Sequence, residues 1–349
     1  MWNINVYGAV LHPFCRFYVF DIGQSTTLTG RCIAKHMSSY VNEVFTGKYD
    51  HTGDSIVYGD TDSVYFSMWP MIEKQVESGE MEWSKEICTQ VYDQTSEAVN
   101  ESFPPFMKKA FNCPERYGKI IEGGRELIAT SGLFIKKKRY GLMIYDDEGT
   151  RRDVDGKEGK VKAMGMDLKR SDTPGYMQDF LMEVLVDILT GKGEIEVTDK
   201  IREFKTDFKS RPPWEKGTPK RVNNLTKYTT LYNEKKGMAG VTIPGHVSAA
   251  IHWNKLKSFN NDNYSMDIQD GQKTIMCNLK KNPMGYTSVA YPIDELHIPD
   301  WFKELPFDDN QMLDKIVDKK IKNLLGVLKW DLERRTDVST TFNSLFTME

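Results

Sequence analysis

The sequence predicts an α+β chain: a largely antiparallel sheet packed by helices, followed by a mainly helical half. Three observations predict it. Short β-rich runs meet at acidic, glycine-containing turns before residue 160, helical apolar stripes lie between those runs, and after residue 173 most apolar residues recur at helical spacing.

Along the chain, Phe14 to Phe20 reads as a strand of aromatic and β-branched residues. Ser25-Thr26 then supplies a cap for a helix whose stripe is Leu28, Cys32, Ile33, Met37, Tyr40, Val41, Val44 and Phe45. A loop from Thr46 to Gly53 leads into Ile56-Val57-Tyr58-Gly59-Asp60-Thr61-Asp62-Ser63-Val64-Tyr65-Phe66, the pattern of a tight β-hairpin with an acidic tip. The next helix carries Ile87, Val91, Ala98 and Val99, and Pro104-Pro105 is expected to end or bend it. Strands are expected at Lys119 to Glu122, Arg125 to Ala129 and Arg139 to Tyr145, the last running into the turn Asp146-Asp147-Glu148-Gly149.

The character changes between Lys160 and Thr173. Asp172-Thr173-Pro174 starts a helix with the stripe Met177, Phe180, Leu181, Val184, Leu185, Ile188 and Leu189, and Gly191 stops it. Thr198 is expected to open a helix bearing Ile201, Phe204 and Phe208, and Met312 to Leu328 a last long amphipathic one. No internal repeat is evident.

With 349 residues and 39% hydrophobic content, the chain has material for two domains. The net charge of −3 gives no global basicity, so any case for nucleic acid must come from local clustering. Five scattered cysteines, an odd number, argue for a reducing cytoplasm rather than a disulfide framework. Asn3, Asn5, His12 and Arg16 break up the first stretch, so neither a signal peptide nor a membrane span is expected. His12-x-x-Cys15 and Cys32-x-x-x-His36 have zinc-like spacings; the competing reading places Cys15 in a strand as a small buried hydrophobe.

The acidic hairpin is the most informative feature. Asp60 and Asp62 present two carboxylates one residue apart, the ligand type that hard divalent cations take in two-metal phosphoryl transfer. Asp and Gly are also ordinary turn formers, which leaves a purely structural hairpin open. Further on, Lys136 to Arg139 puts four cations beside Tyr140, a cluster able to span phosphates from a strand. Lys216, Lys220, Arg221, Asn223, Asn224 and Lys227 make a second polar, basic stretch suited to a duplex backbone, and Lys169 with Arg170 offers a smaller one.

Tyr58 to Ser63 resembles the metal-binding hairpin of family B DNA polymerases. Lys136-Lys137-Lys138-Arg139-Tyr140-Gly141 is similar to the Lys-Lys-Arg-Tyr segment with which that family grips the minor groove of new duplex, and Tyr7-Gly8 to the end of its fingers motif Lys-x3-Asn-Ser-x-Tyr-Gly. Gly165 to Pro174 resembles the start of the thumb. Pro244-Gly245-His246, Trp253-Asn254 and Ser344-Leu345-Phe346 look like later parts of the replicative polymerases of T-even-type phages.

The resemblance implies a fingers remnant at 1–10, a palm at 11–160, a thumb at 161–335 and a clamp-binding tail at 336–349. It implies Asp62 as principal ligand for two Mg²⁺ ions with Asp60 as support, and Glu126, in Gly124-Arg125-Glu126-Leu127-Ile128, is a candidate third acid near the site. An Arg125–Glu126 surface ion pair is the alternative for Glu126. Tyr58 and Thr61 are placed at the primer end, with sheet packing the alternative for Tyr58. Tyr7 and Gly8 are placed at the nucleotide and templating base, Lys137, Lys138, Arg139 and Tyr140 on DNA, and Leu345 and Phe346 on a sliding clamp.

The family's nucleotide-gripping lysine falls one place before Met1, Ile4 and Asn5 replace its asparagine and serine, and the other palm motif, Asp-x-x-Ser-Leu-Tyr-Pro, has no counterpart. The expectation is therefore the carboxyl-terminal subunit of a split polymerase. A partner chain would bring the exonuclease, fingers and second palm aspartate, acting on primer-template DNA and dNTP in the cytoplasm of an infected bacterial cell. The alternatives are a non-catalytic module that binds primer-template and clamp, and a nuclease-like enzyme using Asp60, Asp62 and Glu126.

Overall fold

The computed structural model of the chain describes residues 6–234, 242–330 and 332. It is a mixed α and β structure with three small antiparallel sheets among the described residues. Two compact units divide it, one of residues 1–130 with 144–160 and the other of 131–143 with 161–349.

The first unit begins with α1 (Val6–Leu11) and α2 (Phe20–Thr46), followed by the hairpin β1 (Ile56–Asp60) and β2 (Ser63–Phe66). Then come α3 (Trp69–Glu77), α4 (Lys85–Phe111) and α5 (Glu115–Gly118). The second sheet contains β3 (Leu127–Lys136), β4 (Arg139–Asp147), β5 (Thr150–Arg151) and β6 (Lys160–Met164), with β4 paired to each of the others. The β3–β4 hairpin has its base in the first unit and its tip in the second. Glu148 and Gly149, both at positive φ, close the β4–β5 hairpin, the backbone of a primed two-residue turn. Val41, Val99 and Phe103 are the buried centre of the first unit, with Met37, Phe45, Ile56 and Phe66 packed around them. Burial of one face of α2 and one face of α4 thus also anchors the acidic hairpin.

Several expectations for this unit are corrected. Phe14 to Phe20 is not a strand: its backbone is spent on local turns, Cys15 N–H to His12 O at 2.8 Å and Tyr18 N–H to Cys15 O at 3.0 Å, and its rings lie in solvent. The helix begins at Phe20 rather than after Ser25-Thr26, and Thr26 and Thr27 bond back to Ile22 O and Gly23 O inside it. α4 runs through Pro104 and Pro105 to Phe111; the buried Phe103 and Met107 flank the prolines, and Gly118 packs on Pro104, so burial outweighs the lost backbone bonds. Lys119 to Glu122 forms a turn and an irregular segment, and β3 starts at Leu127.

In the second unit a 3₁₀ turn, Asp167–Lys169, leads to α6 (Gly175–Leu189) and α7 (Glu194–Ser210). There follow β7 (Thr218–Arg221), α8 (Leu225–Glu234), α9 (Gly245–Phe259), β8 (Lys273–Asn278), β9 (Ser288–Pro292) and α10 (Asp300–Lys303). α11 (Asp309–Leu313) continues through a π-helical stretch, Asp314–Asp318, into α12 (Lys319–Leu325), so the last helix is less regular and shorter than its periodicity suggested. Met177, Phe180, Leu181, Val184, Leu185 and Leu189 are buried as the stripe of α6 requires, and Gly191 follows the helix at φ +86°. α7 starts at Glu194, four residues before the expected Thr198, whose hydroxyl instead bonds to Glu194 O.

One element of this half was not expected. β7, β8 and β9 form an antiparallel sheet covered by α9, with Trp253, Val289, Ala290 and Phe302 in its core. The sequence between Gly217 and Pro292 reads as irregular because its strands are short and separated by long polar loops.

Candidate functional site

The acidic hairpin forms where its residues predict it. Tyr58 pairs with Tyr65, Gly59 with Val64 and Asp60 with Ser63, leaving Thr61 and Asp62 as the turn. The Asp62 N–H reaches Asp60 O at 2.6 Å, which forces Thr61 to φ +52°, a strained conformation for a β-branched residue. The Thr61 hydroxyl donates to Asp60 Oδ1 at 3.2 Å and the Ser63 hydroxyl to Asp60 O at 3.1 Å. The Asp62 side chain is exposed while Asp60 is half-buried. The Tyr58 and Tyr65 rings lie side by side with centroids 5.8 Å apart, so Tyr58 takes part in sheet packing.

A residue that sequence reasoning missed holds the base of this hairpin. Asn42, buried on α2, donates through Nδ2 to Lys48 O at 2.8 Å and to the Thr46 hydroxyl at 3.0 Å. Its Oδ1 accepts from the Ser55 hydroxyl at 2.9 Å and the Ser55 N–H at 3.2 Å. Gly53 lies so close to the Asn42 amide that a Cβ would overlap it. One amide thus ties the helix end, the loop after it and the residue before the first strand together. The available signal was a polar residue interrupting an apolar helical stripe between Val41 and Val44.

Asp60, Asp62 and the hairpin carbonyls form an all-oxygen donor set, the kind Mg²⁺ accepts, but two carboxylates are few for two such ions. Among the described residues no three His, Cys, Asp or Glu side chains gather as a ligand group. The expected Arg125–Glu126 pairing also gives way: Arg125 bridges Asp93 and the buried Asp146, while Glu126 is exposed and its carbonyl accepts the Glu148 N–H. The zinc spacings do not converge either. His36 is buried, bonded to the Tyr49 hydroxyl at 2.8 Å and the Ser102 hydroxyl at 2.9 Å, and stacked on Phe106 at 3.9 Å. Burial holds its pKa below the usual histidine value, against a smaller opposite effect from Ser102.

The basic cluster occupies the tip of the β3–β4 hairpin, in the second unit, and is only partly strand-borne. Lys136 ends β3, Lys137 and Lys138 are the turn with Lys138 at φ +61°, and Arg139 opens β4. The three lysines are exposed. Tyr140 faces inward, 8% exposed, stacked on Phe134 with centroids 5.5 Å apart. Gly165, at φ +60°, lies against the Lys138 carbonyl. Arg139 lines a small cleft with Asp167, Lys320 and Asn323.

The second basic stretch separates by environment. Lys216 is 2% exposed and ion-paired to Asp309 at 2.6 Å, which corrects its placement on a duplex-facing surface. Lys220, on β7, pairs with Asp172 at 3.1 Å. Asp172 also holds Arg170, and these two cations keep its pKa well below the usual carboxylate range, Arg170 contributing most. Arg221, Asn223, Asn224 and Lys227 are exposed around the start of α8, whose first turn is capped by Asp270 through the Leu225 N–H at 2.8 Å. Trp253 and Asn254 are structural: the indole N–H donates to Met266 O at 2.9 Å, and Asn254 bonds both backbone groups of Ile268.

In the first unit Tyr7 and Gly8 belong to α1, and the Tyr7 hydroxyl meets the Thr27 hydroxyl at 2.9 Å. Leu345 and Phe346 lie outside the described residues. No described helix is long and apolar enough to cross a membrane.

No family model matches the chain. Among curated proteins it is similar to the DNA-directed DNA polymerase of Escherichia phage RB69, 26% identical over 358 residues that cover 97% of this chain and 37% of that protein. It is likewise 26% identical over 309 residues to the DNA-directed DNA polymerase of Enterobacteria phage T4, covering 82% of this chain and 32% of the relative. A DNA polymerase of Invertebrate iridescent virus 6 is 28% identical over 200 residues, 57% of this chain and 14% of that protein. The chain thus matches part of a T-even-type phage polymerase and spans about a third of the length of these two phage relatives.

Proposed function

We propose that this chain is the palm-and-thumb part of a family B DNA polymerase, in which Asp60 and Asp62 hold divalent metal for template-directed nucleotidyl transfer. The observation that carries the reading is the Asp60-Thr61-Asp62 tip, on a chain aligned along 97% of its length with a phage DNA polymerase. Mg²⁺ bound there would neutralise charge on the reacting phosphate groups.

The chain's own residues supply position. Asp62 and Asp60 bind the cation, and the bonded Asp60-Thr61-Asp62 turn with the Asn42 tie below it keeps the carboxylates in one arrangement. Tyr58 and Thr61 stand beside them for the primer end, and Tyr7 with Gly8 for the nascent pair. Lys137, Lys138 and Arg139 grip duplex phosphates, with Tyr140 bracing the strand behind them, and Lys220, Arg221, Asn223, Asn224 and Lys227 extend the grip. Leu345 and Phe346 dock the sliding clamp.

In this reading a complementary polymerase polypeptide carrying the exonuclease, fingers and second palm aspartate completes the metal site, because two carboxylates are few ligands for two Mg²⁺ ions. The test is primer extension with the chain alone and with that polypeptide. The chain alone is expected to bind primer-template without extending it; the assembled enzyme extends, and Asp62→Asn abolishes extension while sparing duplex binding. Extension by the isolated chain, or full activity of Asp62→Asn in the assembly, overturns the reading. An assembly that binds DNA but never extends it leaves a non-catalytic binding module.

A further inference from the structure

The far end of α4 makes a rigid corner that the proposed function does not use. α4 stops at Asn112, whose φ of +50° turns the chain out of the helix, and the Cys113 N–H bonds back to Met107 O at 3.2 Å. α5 then folds onto the helix the chain has just left. Gly118 is buried on Pro104, where a Cβ would lie 3.1 Å from the Pro104 Cα. Packing this close fixes how the two helices present their outer faces.

Those faces are basic and carry aromatic rings. Between Glu101 and Glu122 the chain places Lys108, Lys109, Arg116 and Lys119 against Glu115 as the one carboxylate, and all five are exposed. Glu115 pairs with Lys119 at 2.7 Å, and its pKa lies below the usual carboxylate value through Lys119 first and Lys108 next, so both amines gather about it. An exposed pair of this kind is weak, which leaves Lys119 available to an anion. Tyr117 is 50% exposed, with the Arg116 guanidinium over its ring at 4.6 Å and bonded to its hydroxyl at 3.0 Å. Phe111 is 38% exposed and held edge-on by Phe106 at 6.0 Å.

Cations interleaved with exposed rings fit a partner that is anionic and also offers flat apolar faces. Phosphates along a flexible strand meet the amines, and unpaired bases stack on aromatic rings and on a guanidinium plane. Paired bases in a duplex have no open faces for Tyr117, and the carboxylates of an acidic peptide have no use for it. We propose that the α4–α5 corner is a binding site for single-stranded nucleic acid, in which Lys108, Lys109 and Lys119 meet phosphates while Phe111 and the Arg116-backed Tyr117 carry bases. The site is separate from the acidic tip. The base of that hairpin meets α4 where the Phe66 and Tyr92 rings lie 5.2 Å apart, and Lys108 follows roughly 24 Å further along the helix. The inference therefore goes beyond the proposed function and needs neither its metal nor its duplex grip.

The experiment measures binding of the full chain to a short fluorescein-labelled oligothymidylate by anisotropy. Tyr117→Ala is expected to weaken binding by roughly fivefold or more, and Tyr117→Phe, which keeps the ring, to retain most of it. Lys108→Ala with Lys109→Ala is expected to lower the slope of log affinity against log salt by about 1.4, the value for two phosphates of a single strand. Each variant keeps its circular dichroism and its affinity for blunt duplex. An oligothymidylate carrying iodouracil is expected to crosslink at Tyr117 or Phe111. Wild-type oligothymidylate affinity in Tyr117→Ala overturns the proposal, as do crosslinks confined to residues 136–140. Tighter binding of polyglutamate than of oligothymidylate, unaffected by Tyr117→Ala, overturns it in favour of an acidic peptide. The proposed function fails by a different readout, primer extension by Asp62→Asn, which leaves this binding untouched.

Discussion

Gly165 runs directly beneath the carbonyl of Lys138, at φ +60° and with no space for a Cβ. The start of the second unit's helical part and the tip of the basic hairpin, far apart in sequence, therefore form one surface. Gly165→Ala is expected to shift the Lys137-Lys138 turn and lower duplex affinity by roughly threefold to tenfold, because phosphate contacts depend on register. Fluorescence anisotropy with a short primer-template measures it; unchanged affinity in a folded variant would mean that the turn does not touch DNA.

The lysines of that turn make a sharper prediction through salt. Lys137→Ala combined with Lys138→Gly, the glycine chosen because position 138 sits at φ +61°, removes two charges without straining the turn. The slope of log affinity against log salt should fall by about two, one for each lost phosphate contact, across all duplex sequences. A loss of affinity with an unaltered slope would place these lysines away from phosphate.

Asn42 is expected to act at a distance. Asn42→Ala leaves the Ser55 N–H and hydroxyl and the Lys48 carbonyl without their buried partner, at a cost of about 2–3 kcal/mol. Chemical denaturation should show that loss. In the assembled enzyme the variant should lower the extension rate with bound duplex unchanged, since the amide touches neither metal nor DNA in the proposed arrangement.

His36 predicts an acid-side weakness. Its folded pKa lies below its unfolded value of about 6.5, so the unfolded chain binds the proton more readily. The stability it protects is complete above pH 6.5 and falls as pH drops below that, by at most about 1.4 kcal/mol per pH unit. His36→Gln, which keeps polar atoms toward Tyr49 and Ser102, should flatten this part of the curve. Thermal unfolding between pH 5 and 8 checks it; identical slopes would assign the effect to other groups.

By itself the sequence determined the elements whose signals are local. Gly59-Asp60-Thr61-Asp62 between β-branched residues wrote its hairpin, the α6 stripe wrote its helix and Gly191 its end, because turn chemistry and periodicity act within a few residues. Tertiary structure decided what depends on partners remote in sequence. It left Phe14 and Phe17 in solvent instead of a sheet, carried α4 through two prolines, buried Lys216 against Asp309, gave Arg125 to Asp93 and Asp146, and brought Gly165 to Lys138. A side chain's propensity states what it can satisfy, but burial and charge pairing are settled only by which distant groups the fold sets beside it.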